Sequence, residues 1–331
     1  MTAAKLRAVV TTIPFGAINP EPIRLLSEAG INLAINPLGR KLKTEEVAGV
    51  INGYDIIIAG TEIISREAME ASKPLKAICR VGIGLDGVDL LAARDLGISV
   101  SYTPDGPSPA VAELAVGLMI DCLRGVGKAD RLIRAGGWHR AAGKRIAKSK
   151  VGVVGCGRIG GRVIRHLLNG FPGVEILYHD VREDLDLPND PNVRRAQLQE
   201  IVETCDAITL HVPLTPQTRD LFNADTLRAM KSDAVLINTA RGGIVNEDDL
   251  AAALDAGEIA AAAVDTFLLE PYKGPLTACE NVILTSHLGS MTEDCRLTME
   301  VEAVKEAVRF SRGEAFATPV PETEYELAAQ S

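Results

Sequence analysis

Short runs of aliphatic residues alternate along the first hundred positions with stretches whose apolar residues recur every three or four. Arg7-Ala8-Val9-Val10, Asp55-Ile56-Ile57-Ile58-Ala59 and Leu75-Lys76-Ala77-Ile78-Cys79 predict buried strands, and residues 22–29, 44–51 and 65–71 predict the helices between them. A second series begins at Lys150-Val151-Gly152-Val153-Val154. It continues through residues 174–180, 207–212, 234–238, 261–265 and 282–285, six strands with helical segments between them. Strands alternating with helices at this spacing predict α/β layers built on parallel sheets.

The join between the two series is a breaker cluster, Thr103-Pro104-Asp105-Gly106-Pro107-Ser108-Pro109. There Ser108 and Pro109 read as the N-cap and first-turn proline of a helix over 108–124. Val111, Leu114, Ala115, Leu118, Met119 and Cys122 give that helix a wide apolar stripe, suited to packing between domains or against a second subunit. Residues 292–312 again have helical period and end at Gly313, placed to carry the chain back to the first domain.

Composition narrows the class. The chain has 331 residues, enough for about two domains, with 47% hydrophobic and 24% charged residues, the balance of a folded globular protein. A formal charge of −9 argues against nucleic acid or an anionic membrane as the main partner. Even the apolar stretch 114–123 contains Asp121, and the start, MTAAKLRAVVTTIPFG, lacks a signal-peptide pattern. Six scattered cysteines without a CxxC pair read as free thiols of a cytoplasmic protein, with no metal site expected.

Gly155-Cys156-Gly157-Arg158-Ile159-Gly160 directly follows a strand and opens a helix, and Asp180 stands 20 residues past Gly160. In that context the glycines form a dinucleotide-binding fingerprint. Gly155 makes the tight turn, Gly157 lets a pyrophosphate approach the backbone, and Gly160 allows helix and strand to pack closely. Asp180 is the acceptor for the adenosine ribose hydroxyls and would repel a 2′-phosphate, favouring NAD. Arg182, two residues on, is the residue that would favour the phosphate instead. Cys156 reads as a neutral filler.

Three further strand ends carry charge: Arg241 in Asn238-Thr239-Ala240-Arg241-Gly242-Gly243, Asp265 and Glu270 in the segment 263–271, and His287 in Thr285-Ser286-His287-Leu288-Gly289. Ligands of open α/β sheets bind at the carboxyl ends of strands, so these groups belong beside the nicotinamide. A histidine suits a proton donor that must be a base in reverse. A carboxylate bonded to it would favour its charged form. A guanidinium can clamp a substrate carboxylate and stabilise charge developing on a carbonyl. Val81, Gly82 and Ile83, between glycines, could supply amides to the same carboxylate.

These segments resemble the D-isomer-specific 2-hydroxyacid dehydrogenases, most closely the 3-phosphoglycerate dehydrogenase branch in a short form without a regulatory domain. The likeness runs from Arg80-Val81-Gly82-Ile83-Gly84-Leu85-Asp86-Gly87-Val88-Asp89 through Ala112-Glu113-Leu114, the glycine fingerprint and His211-Val212-Pro213-Leu214-Thr215 to about Ser290. It implies two doubly wound domains, Rossmann-like or flavodoxin-like. The NAD-binding domain (106–292) is inserted into a discontinuous substrate domain (1–105 plus 293–331). It implies Arg241, Glu270 and His287 as the catalytic set. NAD contacts are implied for Arg158, Ile159, Asp180, Val212, Pro213, Thr239, Ala240, Asp265 and Gly289, and substrate contacts for Arg80, Val81, Gly82, Ile83, Arg241 and His287. A homodimer through the 108–124 helix is implied too.

Asp265 reads either as a cofactor contact or as a brace for its loop. Leu268 and Leu269 stand where the family often has acidic residues. His139, His166, His179 and His211 read as structural, and Trp138 as a packing anchor. Glu62, in Ile58-Ala59-Gly60-Thr61-Glu62, stands where the phosphoglycerate branch places cations, which counts against a phosphorylated substrate; Arg80 and Arg140 could compensate. Glyoxylate/hydroxypyruvate reduction is the alternative, and a cofactor-sensing corepressor on the same fold is the alternative from another class.

Overall fold

The computed structural model describes residues 6–329, so the first five residues of the N-terminal stretch read above and the last two of the tail lie outside it. The chain forms two compact units, Met1–Pro107 with Thr292–Ser331, and Ser108–Met291.

In the first unit the order is β1 (Arg7–Val10), α1 (Glu21–Glu28), β2 (Asn32–Ile35), α2 (Thr44–Ile51), β3 (Ile56–Ala59), α3 (Arg66–Ala71), β4 (Ala77–Arg80), α4 (Leu90–Asp95) and β5 (Ser99–Ser101). The strands make one parallel sheet in the order β2-β1-β3-β4-β5. β3 and β4 are buried along their whole length, as central strands covered on both faces must be. The predicted strands were these central ones. β2 at the edge is half exposed and β5 reads Ser-Val-Ser, so neither carries the apolar run that betrays a buried strand.

The second unit runs α5 (Ser108–Arg124), α6 (Val126–Arg134), β6 (Lys150–Val154), α7 (Arg158–Gly170), β7 (Glu175–His179), β8 (Val193–Arg195), α8 (Leu198–Thr204), β9 (Ala207–Leu210), α9 (Ala224–Ala229), β10 (Val235–Asn238), α10 (Glu247–Ala256), β11 (Ala261–Val264) and β12 (Val282–Leu284). Its parallel sheet has seven strands, β12-β11-β10-β9-β6-β7-β8, one more than the sequence predicts. The addition is β8, a polar edge strand reading Val-Arg-Arg.

Two expectations about α5 change. Ser108 is the first helical residue and its buried hydroxyl makes no hydrogen bond, so it does not cap the helix. Much of the apolar stripe packs inside the unit: Ala115, Leu118 and Met119, with Ala112 and Leu123, pack with Val163, Ile164 and Leu167 of α7 and with Val151, Ile237 and Ala263 of the sheet, while Leu114 and Cys122 are half-buried. α6, by contrast, buries none of its residues. Trp138, expected as a packing anchor, is 79% exposed, alongside half-exposed Val126 and Ile133.

The last two helices, α11 (Glu293–Ser311) and α12 (Glu322–Ala328), belong to the first unit. A buried ion pair on α11 secures the loop after β1. Arg296 Nη2 donates to Glu300 Oε1 (2.7 Å) and to the Pro14 carbonyl, and Gly16 N donates to Glu300 Oε2 (2.9 Å). At α12, the Arg94 guanidinium lies 3.8 Å from the centre of the Tyr325 ring and pairs with Glu322 (2.7 Å). Among the described residues no helix is long and apolar enough to cross a membrane.

Candidate active site

In the second sheet the strand order reverses between β6 and β9, and the glycine fingerprint leaves β6 at that switch point. Gly155 has φ +87°, and a Cβ there would sit 2.6 Å from the His211 carbonyl oxygen. A Cβ on Gly160 would lie 1.9 Å from the carbonyl oxygen of Gly155. Only glycine lets the turn close so tightly, with α7 opening at Arg158 and its free amides and positive dipole directed at an incoming phosphate. By contrast a Cβ on Gly157 would find only the Arg182 guanidinium, 3.6 Å away, which leaves room for a ligand. Thr239, at the end of β10, carries a buried hydroxyl without a hydrogen-bond partner, a group a bound dinucleotide could satisfy. The turn, the helix terminus and that hydroxyl fit the expected cofactor.

Asp180 follows β7 and is 9% exposed. Its Oδ2 accepts from Cys156 N (2.7 Å), and its Oδ1 from Arg182 N (2.9 Å). Burial pushes this carboxyl up, but the Arg182 side chain and the two amides outweigh it and hold it below its ordinary range. Cys156 goes the other way: burial, reinforced by Asp180, pushes its thiol up to about 12, so it stays protonated and inert, as expected. His211 sits beside Thr209 (Nε2 to Oγ1, 2.9 Å), and loss of solvent pushes it down to about 3, a neutral structural group. His179 bonds the Ala196 carbonyl (3.2 Å), and His139 and His166 are exposed.

The loops after β10, β11 and β12 interlock. Asn238 accepts from Ala240 N (3.1 Å) and donates to the Arg241 carbonyl (2.9 Å), closing a tight turn that presents Arg241. A Cβ on Gly242 would strike the Phe267 carbonyl carbon at 2.0 Å and Leu268 N at 2.2 Å, so the arginine loop lies directly on the glutamate loop. Glu270 in turn meets His287, whose Nδ1 lies 3.0 Å from Oε1 and 3.1 Å from Oε2. An ionised carboxylate only accepts, so Nδ1 carries the proton and Nε2 is the atom left for acid–base work. His287 takes a left-handed backbone, φ +58°, rare outside glycine.

Asp265 holds it there. Its carbonyl accepts from His287 N (2.9 Å), while its buried carboxylate accepts from Thr285 Oγ1 (2.6 Å), Leu288 N (2.7 Å) and Gly289 N (2.9 Å). Of the two readings of Asp265, the loop brace is the one these bonds display. The Gly289 amide is likewise spent on Asp265, so the cofactor contact expected of Gly289 cannot come from that N–H. Leu268 N is held by Glu247 Oε1 (2.8 Å), a residue of α10 that no sequence signal singles out. Burial pushes the Glu247 carboxyl up, partly offset by that amide.

The predicted substrate contacts of the first unit need revision. Val81 N donates to the Ala59 carbonyl (2.9 Å) and Gly82 N to Thr103 Oγ1 (2.7 Å), so two of the three proposed amides are occupied, leaving Ile83. Arg80 is buried, with Nη1 donating to the Val81 carbonyl, and Arg140 is exposed on the second unit. Glu62 turns inward: it accepts from the Thr11 hydroxyl and from Gly60 N (3.0 Å) at the switch point between β1 and β3. Among the remaining cofactor candidates, Arg158 and Pro213 are exposed, Ile159 and Val212 half-buried, and Ala240 buried. Among the described residues no cluster is suited to hold a metal.

A dinucleotide site beside an imidazole backed by a carboxylate is the equipment of a dehydrogenase, and that is the class the fold and site define. The family described as D-isomer specific 2-hydroxyacid dehydrogenase, NAD binding domain, matches residues 116–289. The hydroxypyruvate reductase of Thermotoga maritima is 34% identical over 271 residues, 80% of this chain and 87% of that protein. The D-3-phosphoglycerate dehydrogenase of Methanocaldococcus jannaschii is 35% identical over 302 residues, 88% of this chain but 56% of that longer protein. The crystal structure of the TT0316 protein from Thermus thermophilus superposes with a TM-score of 0.85 at 32% identity, covering 96% of this chain and all of that one. The chain belongs to the D-isomer specific 2-hydroxyacid dehydrogenases, oxidoreductases that use NAD.

Proposed function

We propose that this protein reduces a small unphosphorylated 2-oxo acid of the hydroxypyruvate or glyoxylate type to the corresponding 2-hydroxy acid. The observation that supports the acid–base step is the His287–Glu270 pair at 3.0 Å. When bound, NADH supplies the hydride. His287 Nε2 gives its proton to the carbonyl oxygen as the hydroxyl forms, leaving a neutral imidazole whose orientation Glu270 maintains. Arg241 binds the substrate carboxylate as a two-pronged donor and stabilises negative charge on the carbonyl oxygen.

The choice of an unphosphorylated substrate rests on Glu62. Its carboxylate already occupies the Gly60 amide and the Thr11 hydroxyl, donors that would otherwise suit an anion at the first unit's switch point. The likeness to a D-3-phosphoglycerate dehydrogenase favours a phosphorylated substrate instead. An NADH-oxidation screen across hydroxypyruvate, glyoxylate, pyruvate and phosphohydroxypyruvate separates the two. The first two compounds are expected to give the highest kcat/KM; a preference for the phosphorylated one refutes this substrate reading, and no turnover with any 2-keto acid favours the corepressor. A cytoplasmic homodimer completes the proposal, joined through α6, where Val126, Ile133 and the following Trp138 are exposed.

A further inference from the structure

The carboxylate expected to read the adenosine ribose is not open to it. Four hydrogen bonds end on Asp180: Oδ1 accepts from Arg182 N (2.9 Å) and Arg182 Nε (3.2 Å), and Oδ2 from Cys156 N (2.7 Å) and Arg182 Nη2 (3.2 Å). A carboxylate has about four lone-pair positions, so a ribose hydroxyl must displace one of these donors. The amides are fixed by the backbone. The guanidinium is not: the Arg182 side chain is 52% exposed and stands 3.6 Å from where a Cβ on Gly157 would lie, over the open part of the fingerprint.

A second guanidinium stiffens the same corner. Arg195 of β8 donates through Nη2 to the carbonyls of Asp180 (2.5 Å) and Arg182 (2.8 Å), holding the turn in place whichever way the Arg182 side chain points. Opposing charges are Asp180 itself and the exposed Glu183 and Asp184. A 2′-phosphate arriving here meets the exposed Arg182 guanidinium, with Arg195 behind it, where Asp180 alone would have repelled it.

From this arrangement we infer that Arg182 makes the adenosine end of the site accept 2′-phosphorylated dinucleotides as well as NAD. With NAD the guanidinium leaves Asp180, and the ribose hydroxyls take its place. With the 2′-phosphate, it turns from the carboxylate to the phosphate as a charge-assisted donor. Arg182 is therefore the residue that sets the preference between the two.

The test is calorimetric titration of the full chain with adenosine 5′-monophosphate and adenosine 2′,5′-bisphosphate, with NAD⁺ as the control for the site itself. Wild type is expected to bind the two nucleotides within about tenfold of each other. R182Q is expected to move the ratio toward the monophosphate by at least about tenfold, the loss of one charged hydrogen-bond partner. D180N is expected to move it the other way. A wild-type ratio beyond tenfold, or a smaller shift in R182Q, overturns the inference. Binding of NAD⁺ in those samples shows that the fault lies in Arg182's role, whereas loss of NAD⁺ binding in wild type overturns the cofactor site as well.

Discussion

Glu270 works through both carboxylate oxygens. They accept from His287 Nδ1, and Oε1 also accepts from Phe267 N (3.2 Å), so the residue that orients the imidazole also ties down its own loop. The left-handed backbone at His287 is a strained conformation for a residue with a Cβ, and it persists because Asp265 holds the loop at four points. This division of labour separates the variants. In H287N turnover should fall by about 10³-fold or more while NADH fluorescence titrations stay at wild-type affinity, because the proton donor is lost and the nucleotide turn is untouched. In E270Q the neutral amide still bonds the ring but no longer carries the carboxylate's charge, and kcat should fall by about 10²-fold with a smaller change in KM. Retained turnover in H287N would remove the imidazole from the mechanism.

Among the elements, the second sheet is pinned at its amino edge by a single carboxylate. Asp206, just before β9, accepts from Lys150 N of β6 (2.8 Å), from Lys144 (2.8 Å) and from Lys231, and is only 15% exposed. Burial pushes it up, but the two lysines and the amide prevail and bring it down to about 2. The unfolded chain protonates it at about 3.9, so the folded state gains stability above that pH and loses it as pH falls from about 4 toward 2. Urea unfolding at pH 7 should show D206N weakened by about 2 kcal/mol. Between pH 4 and 2 the variant should lose less further stability than wild type; an unchanged pH dependence would show that the lysines leave Asp206 unshifted.

Taken as a whole molecule, the chain folds as one unit that is discontinuous in sequence and a second inserted into it, and the association surface proposed for it is α6. α5 turns Ala115, Leu118 and Met119 to α7 and the sheet, whereas Val126, Ile133 and Trp138 remain outside. Light scattering of the wild type should give twice the chain mass. I133E/W138E should give the single-chain mass with an unchanged circular dichroism spectrum. An unaltered dimer in the variant would return the interface to another face.

Periodicity and spacing alone were sufficient for the central strands, the glycine turn at Gly155, and Arg241, Glu270 and His287 as the charged strand ends. Those features are local: a buried parallel strand must be apolar throughout, and a turn crowded by backbone must be glycine. What tertiary structure decided is how donors and acceptors are shared between segments distant in the chain. Asp265 braces a loop 20 residues away, the amides of Val81 and Gly82 are occupied, and Glu62 faces inward. Asp180 is closed by Arg182, and the short polar edge strand β8 delivers Arg195 to that corner. A residue's type limits which bonds it can make, but only the fold brings a particular partner within 3 Å and so settles which bond is made.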